Sequence, residues 1–147
     1  MKIFLLLLTI TSSFSLAVSS NNSAYFVIDK KNFLAKKLNA NLTGNYKRGK
    51  KIFSSRKVNC LSCHEVPIKE EKFHGNFGPP LYGVGAIYTK DEIRLRVINA
   101  KIINPESIMP AYFVKIKNPR TPKNYLNKTI LSAQEVEDLV EYLYSLK

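Results

Sequence analysis

The sequence predicts an all-α fold in which a few helices are joined by long loops. Near the C-terminus, apolar residues recur at the i, i+3, i+4 and i+7 spacing of one buried helical face (Val136, Leu139, Val140 and Leu143). No stretch shows the sustained apolar–polar alternation that is typical of strands. The segments between the predicted helices are long and punctuated by glycine and proline, which is unusual in a domain without a ligand. We therefore expect the loops to wrap around a large buried group.

Two helix starts are marked by capping boxes, in which a hydroxyl caps the helix and a glutamate three residues later reaches back to the cap. One box is Thr89 with Glu92, and its helix is expected to run to about Asn99. The other is Ser132 with Glu135, at the start of the amphipathic C-terminal segment. These boxes predict where two of the helices begin.

A further helix is predicted over residues 42–53 and is expected to pack on the C-terminal helix. Gly49 lies within it, and a residue without a Cβ allows a neighbouring helix to approach closely. Residues 115–128 are expected to form a loop, because Pro119 and Pro122 prevent a helix there.

The first residues are typical of a secretory signal peptide. Lys2 is followed by an apolar run over residues 3–10, and Ser15 and Ala17 supply the small residues of a cleavage site. A second candidate site ends at Ser19. An uncleaved membrane anchor is the alternative, but the run is well short of the ~20 residues that a span needs.

These features divide the chain into three parts. We expect residues 1–17 to be the signal peptide, residues 18–41 to be an Asn- and Lys-rich leader arm, and residues 42–147 to be one functional domain. No later segment is long and apolar enough to span a bilayer. The mature product is therefore expected outside the cytoplasm, with no membrane span once the signal has been removed.

The chemistry is indicated by the sequence Cys60-Leu61-Ser62-Cys63-His64. C-x-x-C-H is the attachment signature of c-type haem. Each thiol can add to one vinyl group of the porphyrin, and the histidine is then held under the iron. A thioredoxin-like redox pair is an alternative, but no βαβ pattern surrounds the motif. A zinc site is another, but it would need four ligands, and the sequence has no second cysteine pair.

The second axial ligand of the iron is expected to be Met109, the single methionine left after signal removal. A thioether ligand raises the reduction potential of a haem. His74 is the rival ligand, although its loop would have to cross the haem edge within ten residues of His64. An open position or a lysine ligand is the remaining alternative.

A proline-rich turn is expected to orient the proximal histidine. Such a histidine needs its other ring nitrogen held by a hydrogen bond, and a proline carbonyl is free to accept one. We predict that His64 Nδ1 donates to the carbonyl of Pro79, and that Leu81 and Tyr82 line the haem pocket. The alternative is a plain turn.

The net charge of +12 favours acidic partners, anionic membrane surfaces or nucleic acid, and nucleic acid is the weakest choice for an exported protein. Basic residues cluster just before the cysteines, and acidic residues cluster near the C-terminus. Both clusters are compatible with solvated surface, whereas the more specific interpretation is a docking face around a redox centre.

The frame of the domain resembles the class I cytochromes c: C-x-x-C-H, then G-P-x-L, then Met-Pro, then an amphipathic terminal helix. Four stretches are more specific, and they resemble SoxX, the monohaem cytochrome subunit of the sulfur-oxidising (Sox) thiosulfate system. They are residues 75–85, 93–99, 104–112 and 135–143. The resemblance extends from about residue 42 to residue 147, and the long leader and strong positive charge depart from it.

The resemblance implies a periplasmic heterodimer with a SoxA-type cytochrome subunit, acting as an L-cysteine S-thiosulfotransferase. Thiosulfate would be joined oxidatively to a cysteine of a SoxYZ-type carrier protein, with the sulfur chemistry at the SoxA haem. This chain would pass electrons to a downstream acceptor cytochrome. Cys60 and Cys63 would attach one covalent haem c, His64 and Met109 would be the axial iron ligands, and no residue would be catalytic.

Two other functions stay open. A free periplasmic monohaem electron shuttle would use the same haem, but the 104–112 loop is more particular than an axial methionine requires. A peroxidase-like or gas-binding haem with an open iron position is the third hypothesis. In that case Met109→Ala would leave the visible spectrum unchanged.

Overall fold

The computed structural model describes residues 25–147, so the predicted signal peptide and its cleavage site lie outside the described residues. This range contains four α-helices joined by long loops, which confirms the predicted class, and one short hairpin. Every helix within it is too short or too polar to cross a bilayer. The elements in order are β1 (Phe26–Asp29), β2 (Leu34–Lys37), α1 (Tyr46–Phe53), α2 (Val84–Ile87), α3 (Lys90–Asn99) and α4 (Ala133–Ser145), with 3-10 turns at Cys60–Ser62 and Ala100–Ile102.

The first helix was predicted in the right place but begins later than expected, at Tyr46. Asn45 caps it, because its side chain accepts a hydrogen bond from Arg48 N at 3.0 Å. An asparagine in this position satisfies an amide that the first turn leaves without a partner. The residues before Asn45 therefore belong to the loop that leads into α1.

The expected packing of α1 on α4 is confirmed. A Cβ atom on Gly49 would overlap the carbonyl oxygen of Asp138, so only glycine permits this approach. The rings of Phe53 and Tyr142 pack beside this crossing with centroids 5.6 Å apart. At the end of the contact, Arg48 Nε and Nη2 donate to the two oxygens of the buried Asp138 carboxylate at 2.7 and 2.8 Å.

Both predicted capping boxes are confirmed. Thr89 N donates to Glu92 Oε2 at 2.8 Å, and Glu92 N donates to Thr89 Oγ1 at 3.3 Å. Ser132 N donates to Glu135 Oε2 at 2.8 Å, and Glu135 N donates to Ser132 Oγ at 3.2 Å. The starts of α3 and α4 are thus determined by side chains three residues apart.

The short helix α2 was not predicted. It has four residues, and its N-cap is Gly83 at φ 71°, with no side-chain capping bond. A tertiary contact holds it instead, since Gly85 N donates to the carbonyl of Leu146 at 2.8 Å. A helix of one turn without a side-chain cap leaves no local signal in the sequence.

The β1–β2 hairpin, within the predicted leader arm, was also not predicted. Each strand has four residues, too few for an alternating pattern to stand out. Its connection is an Asx-type turn, in which Asp29 Oδ1 accepts from the amides of Lys31 and Asn32 at 3.0 and 3.1 Å. Phe26 and Ala35 face the core and are buried. At least this part of the leader arm therefore packs on the domain.

A buried arginine joins the hairpin to the helices. Arg94 Nε and Nη2 donate to the Glu137 carboxylate at 2.5 and 3.1 Å, and Arg94 Nη1 donates to the carbonyl of Ala35 at 2.7 Å. Arg94 also pairs with Asp91 on its own helix. Both Arg94 and Glu137 are buried, so this ion pair links α3, α4 and β2 within the core.

Candidate functional site

A cavity of about 600 Å³ opens between the helices and the loops that join them. Cofactor-sized ligands occupy cavities of roughly 300–1,000 Å³ that are mostly apolar. Helices α1, α3 and α4 all contribute to the wall, so the cavity lies against the core. Its apolar wall includes Phe53, Leu81, Val84, Ile93, Val97, Leu139 and Leu143.

The predicted attachment residues all line this cavity. Cys60, Cys63 and His64 lie on and just after the 3-10 turn, which is closed by hydrogen bonds from Cys63 N and His64 N to the Cys60 carbonyl at 3.1 and 3.0 Å. Asn59 precedes the turn at φ 54° and reverses the chain into it. The two thiols are not bridged to one another. One tight turn thus presents two thiols and an imidazole to the same space.

The predicted hydrogen bond of the imidazole is confirmed. His64 Nδ1 lies 2.8 Å from the carbonyl oxygen of Pro79. A carbonyl can only accept, so Nδ1 carries a proton, and in the neutral ring the lone pair is then on Nε2. Gly78 makes this approach possible, since a Cβ there would lie 2.5 Å from His64 Cε1. The glycine–proline turn therefore determines both the tautomer and the position of the ring.

Met109 also lines the cavity, on the loop that follows α3. Its amide donates to Ser107 Oγ at 3.3 Å, within a turn that brings the thioether to the wall. The rival ligand His74 is not part of the wall: its Nδ1 accepts from Val66 N at 3.3 Å, and its buried Nε2 has no partner among residues 25–147. No lysine lines the cavity in the part of the chain that the structure describes.

The prediction that Leu81 lines the pocket is confirmed, whereas the prediction for the adjacent Tyr82 is wrong. Leu81 lines the cavity, and its amide donates to the Glu65 carbonyl at 2.9 Å. Tyr82 turns away from the cavity, is half-exposed, and donates from its hydroxyl to Glu65 Oε1 at 3.0 Å. That hydrogen bond holds the Tyr82 side chain against Glu65, away from the cavity wall.

Arg96 is a cavity residue that the sequence analysis missed. Its guanidinium carbon lies 3.9 Å from the centroid of the Tyr88 ring, and its Nη1 donates to the Glu92 carbonyl at 3.0 Å. It is the one arginine or lysine lining the cavity among residues 25–147. Helical spacing could have indicated this position in the sequence, because Arg96 lies on the same face of α3 as Ile93 and Val97.

Tyr112 is a second missed residue. Its hydroxyl donates to the Val58 carbonyl at 2.8 Å, and its ring is buried in the cavity wall. Burial, and then the neighbouring Cys60, raise the pKa of this phenol, so it stays protonated and can act as a donor. The bond joins the loop that carries Met109 to the segment that carries the cysteines, over 54 positions of sequence.

The electrostatics of the site oppose a dithiol redox pair. Burial raises the pKa of the Cys60 thiol to about 11. A dithiol redox pair needs the opposite shift, because the thiolate is its nucleophile. For zinc, residues 25–147 contain no group of three or more His, Cys, Asp or Glu side chains that could hold a metal ion. The donor set fits a haem instead: two thiols, an imidazole, a thioether, apolar walls and one cation.

Comparisons with known proteins agree with this geometry. The chain matches the family model described as cytochrome c over residues 46–147. It is similar to the crystal structure of SoxXA from P. pantotrophus, with a TM-score of 0.71 and 28% sequence identity over 83% of this chain and 94% of that one. A comparison with curated protein sequences finds no match.

Proposed function

The chain belongs to the cytochrome c family, and from that premise we propose that it holds one covalent haem through Cys60 and Cys63, with His64 and Met109 as axial iron ligands. Haem c supplies a reversible one-electron centre. The cytochrome c family and the likeness to SoxXA identify the chain as a haem electron-transfer subunit. The convergence of all four side chains on one apolar cavity supports the proposed ligand set.

The residues around the site have separate tasks. Pro79 holds the proton on His64 Nδ1, which keeps Nε2 available for the iron and fixes the ring plane. Met109 offers a soft neutral ligand, which favours the reduced state. Arg96, the one cation of the cavity wall among residues 25–147, would balance a carboxylate of the porphyrin. The apolar wall excludes water and thereby also stabilises the less charged, reduced centre.

The finer proposal concerns the reaction that this subunit serves. A periplasmic L-cysteine S-thiosulfotransferase joins thiosulfate to a carrier cysteine through a new sulfur–sulfur bond, with release of a proton and two electrons. Both cysteines of this chain are engaged by haem attachment, so it has no thiol for sulfur transfer. We assign the sulfur chemistry to a SoxA-type partner, the acceptor cysteine to a SoxYZ-type carrier, and electron relay to this chain. The likeness to SoxXA carries this proposal.

The partner is expected to cover the mouth of the cavity. Phe77 and Ile108 line the cavity and yet are 72% and 67% exposed. Large apolar side chains that are exposed together mark protein interaction sites. Contact at this place would also bring the partner's haem close to the one proposed here, which electron transfer between them requires.

The first experiment is purification of the tagged chain from its native periplasm under mild conditions. A stoichiometric second cytochrome with its own C-x-x-C-H motif and a reactive cysteine is the expected companion. Phe77→Ser with Ile108→Ser should release it, whereas Phe73→Ser should not, because Phe73 is 90% exposed but lies outside the cavity. Recovery of a lone monohaem protein at every salt concentration would favour the free electron shuttle and leave the haem assignment intact.

A second experiment tests the axial ligand. Met109→Ala should shift the visible spectrum and remove the charge-transfer band of a thioether-bound ferric haem. His74→Ala is the matched control and should leave that band in place, since His74 lies away from the cavity. An unchanged spectrum in Met109→Ala would mean an open or differently ligated iron.

A further inference from the structure

A long basic loop leads from the Met109 segment to α4. Residues 107–134 contain no aspartate or glutamate and five basic residues. All five are exposed, and none forms an ion pair within the part of the chain that the structure describes. They are Lys115, Lys117, Arg120, Lys123 and Lys128.

The loop has a defined shape of its own. Ile116 N donates to the Lys128 carbonyl at 3.0 Å and Asn127 N donates to the Ile116 carbonyl at 2.8 Å, which closes the base. Beyond this closure, Tyr125 and Leu126 are 57% and 38% exposed. The loop thus holds apolar side chains out toward solvent among its cations.

The hairpin extends the same surface. The Phe113 ring at the base of the loop packs against Phe26 and Tyr25, with centroids 5.2 and 6.4 Å away. Lys36 and Lys37 of β2 are also exposed, but they line a separate groove with Asp91 and Glu141. We call the surface formed by the loop of residues 114–128 and the adjoining end of the hairpin, Tyr25 and Phe26, the basic face.

The basic face is separate from the haem site. None of its residues lines the cavity, which is bounded on α3 by Ile93, Arg96 and Val97. The hairpin is held by Arg94, through the carbonyl of Ala35. A ligand on the basic face would therefore contact a set of residues different from those that line the cavity.

We propose that the basic face binds the anionic surface of a phospholipid bilayer and holds the chain there as a peripheral protein. Its cations are almost all lysine, which is depleted at protein–protein interfaces and enriched in segments that bind anionic lipids. Tyr125 and Leu126 project where they can enter the headgroup region, and long lysine stems can lie along such a surface with the ammonium in water. The inference does not depend on the proposed thiosulfate reaction.

The test uses the exported, haem-loaded protein and vesicles of phosphatidylcholine with or without phosphatidylglycerol. Sedimentation with the phosphatidylglycerol vesicles is expected at low ionic strength, with loss of binding as salt screens the charges. Lys117→Glu with Lys123→Glu should weaken that binding at least about tenfold. The matched control is Lys47→Glu with Lys51→Glu on α1, which changes net charge equally. Both lysines are exposed and form no ion pair with any residue of 25–147, so the effect should be less than about twofold.

Three outcomes would overturn the proposal. The first is no sedimentation with anionic vesicles at low salt. The second is an equal loss of vesicle binding in both double variants, which would mean that binding depends on net charge alone and not on the basic face. The third is capture of an acidic protein through Lys117 and Lys123 without vesicle binding, which would make the basic face a protein-docking surface. An unchanged visible spectrum in each variant shows that the haem site is intact, so none of these results bears on electron transfer.

Discussion

Replacement of Arg94 is the sharpest test of how this fold is held together. Arg94 and Glu137 are 3% and 5% exposed and pair at 2.5 Å, so water cannot solvate either charge if its partner is removed. Arg94→Met keeps most of the apolar stem but leaves the Glu137 carboxylate buried without a cation. Breaking a buried pair in this way costs about 3–5 kcal/mol. For a domain of this size that corresponds to a fall in Tm of about 10–20 °C.

The double variant Arg94→Met with Glu137→Leu separates the charge from the packing. A buried ion pair replaced by apolar residues is often close to neutral in stability, so most of the loss should be recovered. A deficit of about 1–3 kcal/mol should remain, because the carbonyl of Ala35 loses its donor. Amide exchange in β2 should stay faster than in the parent protein for the same reason.

The assay is thermal and denaturant unfolding of the haem-loaded protein, followed by far-ultraviolet circular dichroism. Lys90→Met is the control, since Lys90 pairs with Glu141 between the same two helices but both side chains are more than a third exposed. That variant should lose less than about 1 kcal/mol. A loss below 1 kcal/mol for Arg94→Met, or a double variant as unstable as the single one, would refute the reasoning.

Three further predictions follow from single contacts. Gly49→Ala places a Cβ on a carbonyl oxygen of α4 and should reduce the free energy of unfolding by at least about 2–3 kcal/mol. A Cβ on Gly83 meets open space, so Gly83→Ala should lose only the ~1–2 kcal/mol that a left-handed backbone costs. Chemical denaturation measures both losses. Tyr112→Phe removes the donor to the buried Val58 carbonyl and should reduce the free energy of unfolding by about 1–3 kcal/mol without loss of haem. In an alkaline titration of the ferric spectrum, the native ligation should be lost at a lower pH than in the parent protein. An unchanged midpoint pH would argue against the hydrogen bond holding the two loops together. Hydrogen bonds at the N-cap of α3 lower the pKa of Glu92 below 4.5, so its contribution to stability is present above that pH and is lost as the pH falls further. Glu92→Gln should therefore flatten the plot of unfolding free energy against pH in this acidic range. A plot as steep as that of the parent protein would contradict the assignment.

Several features of the candidate site could be predicted because they depend on residues close together in the chain. The two thiols and His64 are brought together by one turn, so the C-x-x-C-H spacing alone indicates the chemistry. The bond from His64 to the Pro79 carbonyl, fifteen positions away, was predicted from chemistry, because a metal-binding histidine needs a second partner for its ring. The haem attachment itself, and Met109 as the axial ligand, stay predictions.

The sequence by itself determined the starts of α3 and α4 and the attachment turn, because capping boxes and the haem motif act over three or four residues. Only the tertiary structure decided that the leader forms a hairpin, that Arg94 is buried between it and α4, and that Tyr112 reaches Val58. The contacts of Arg94 and of Tyr112 each join segments more than forty positions apart. No local pattern encodes such a partner, because burial of an arginine or a tyrosine becomes favourable only when a distant acceptor is already in place.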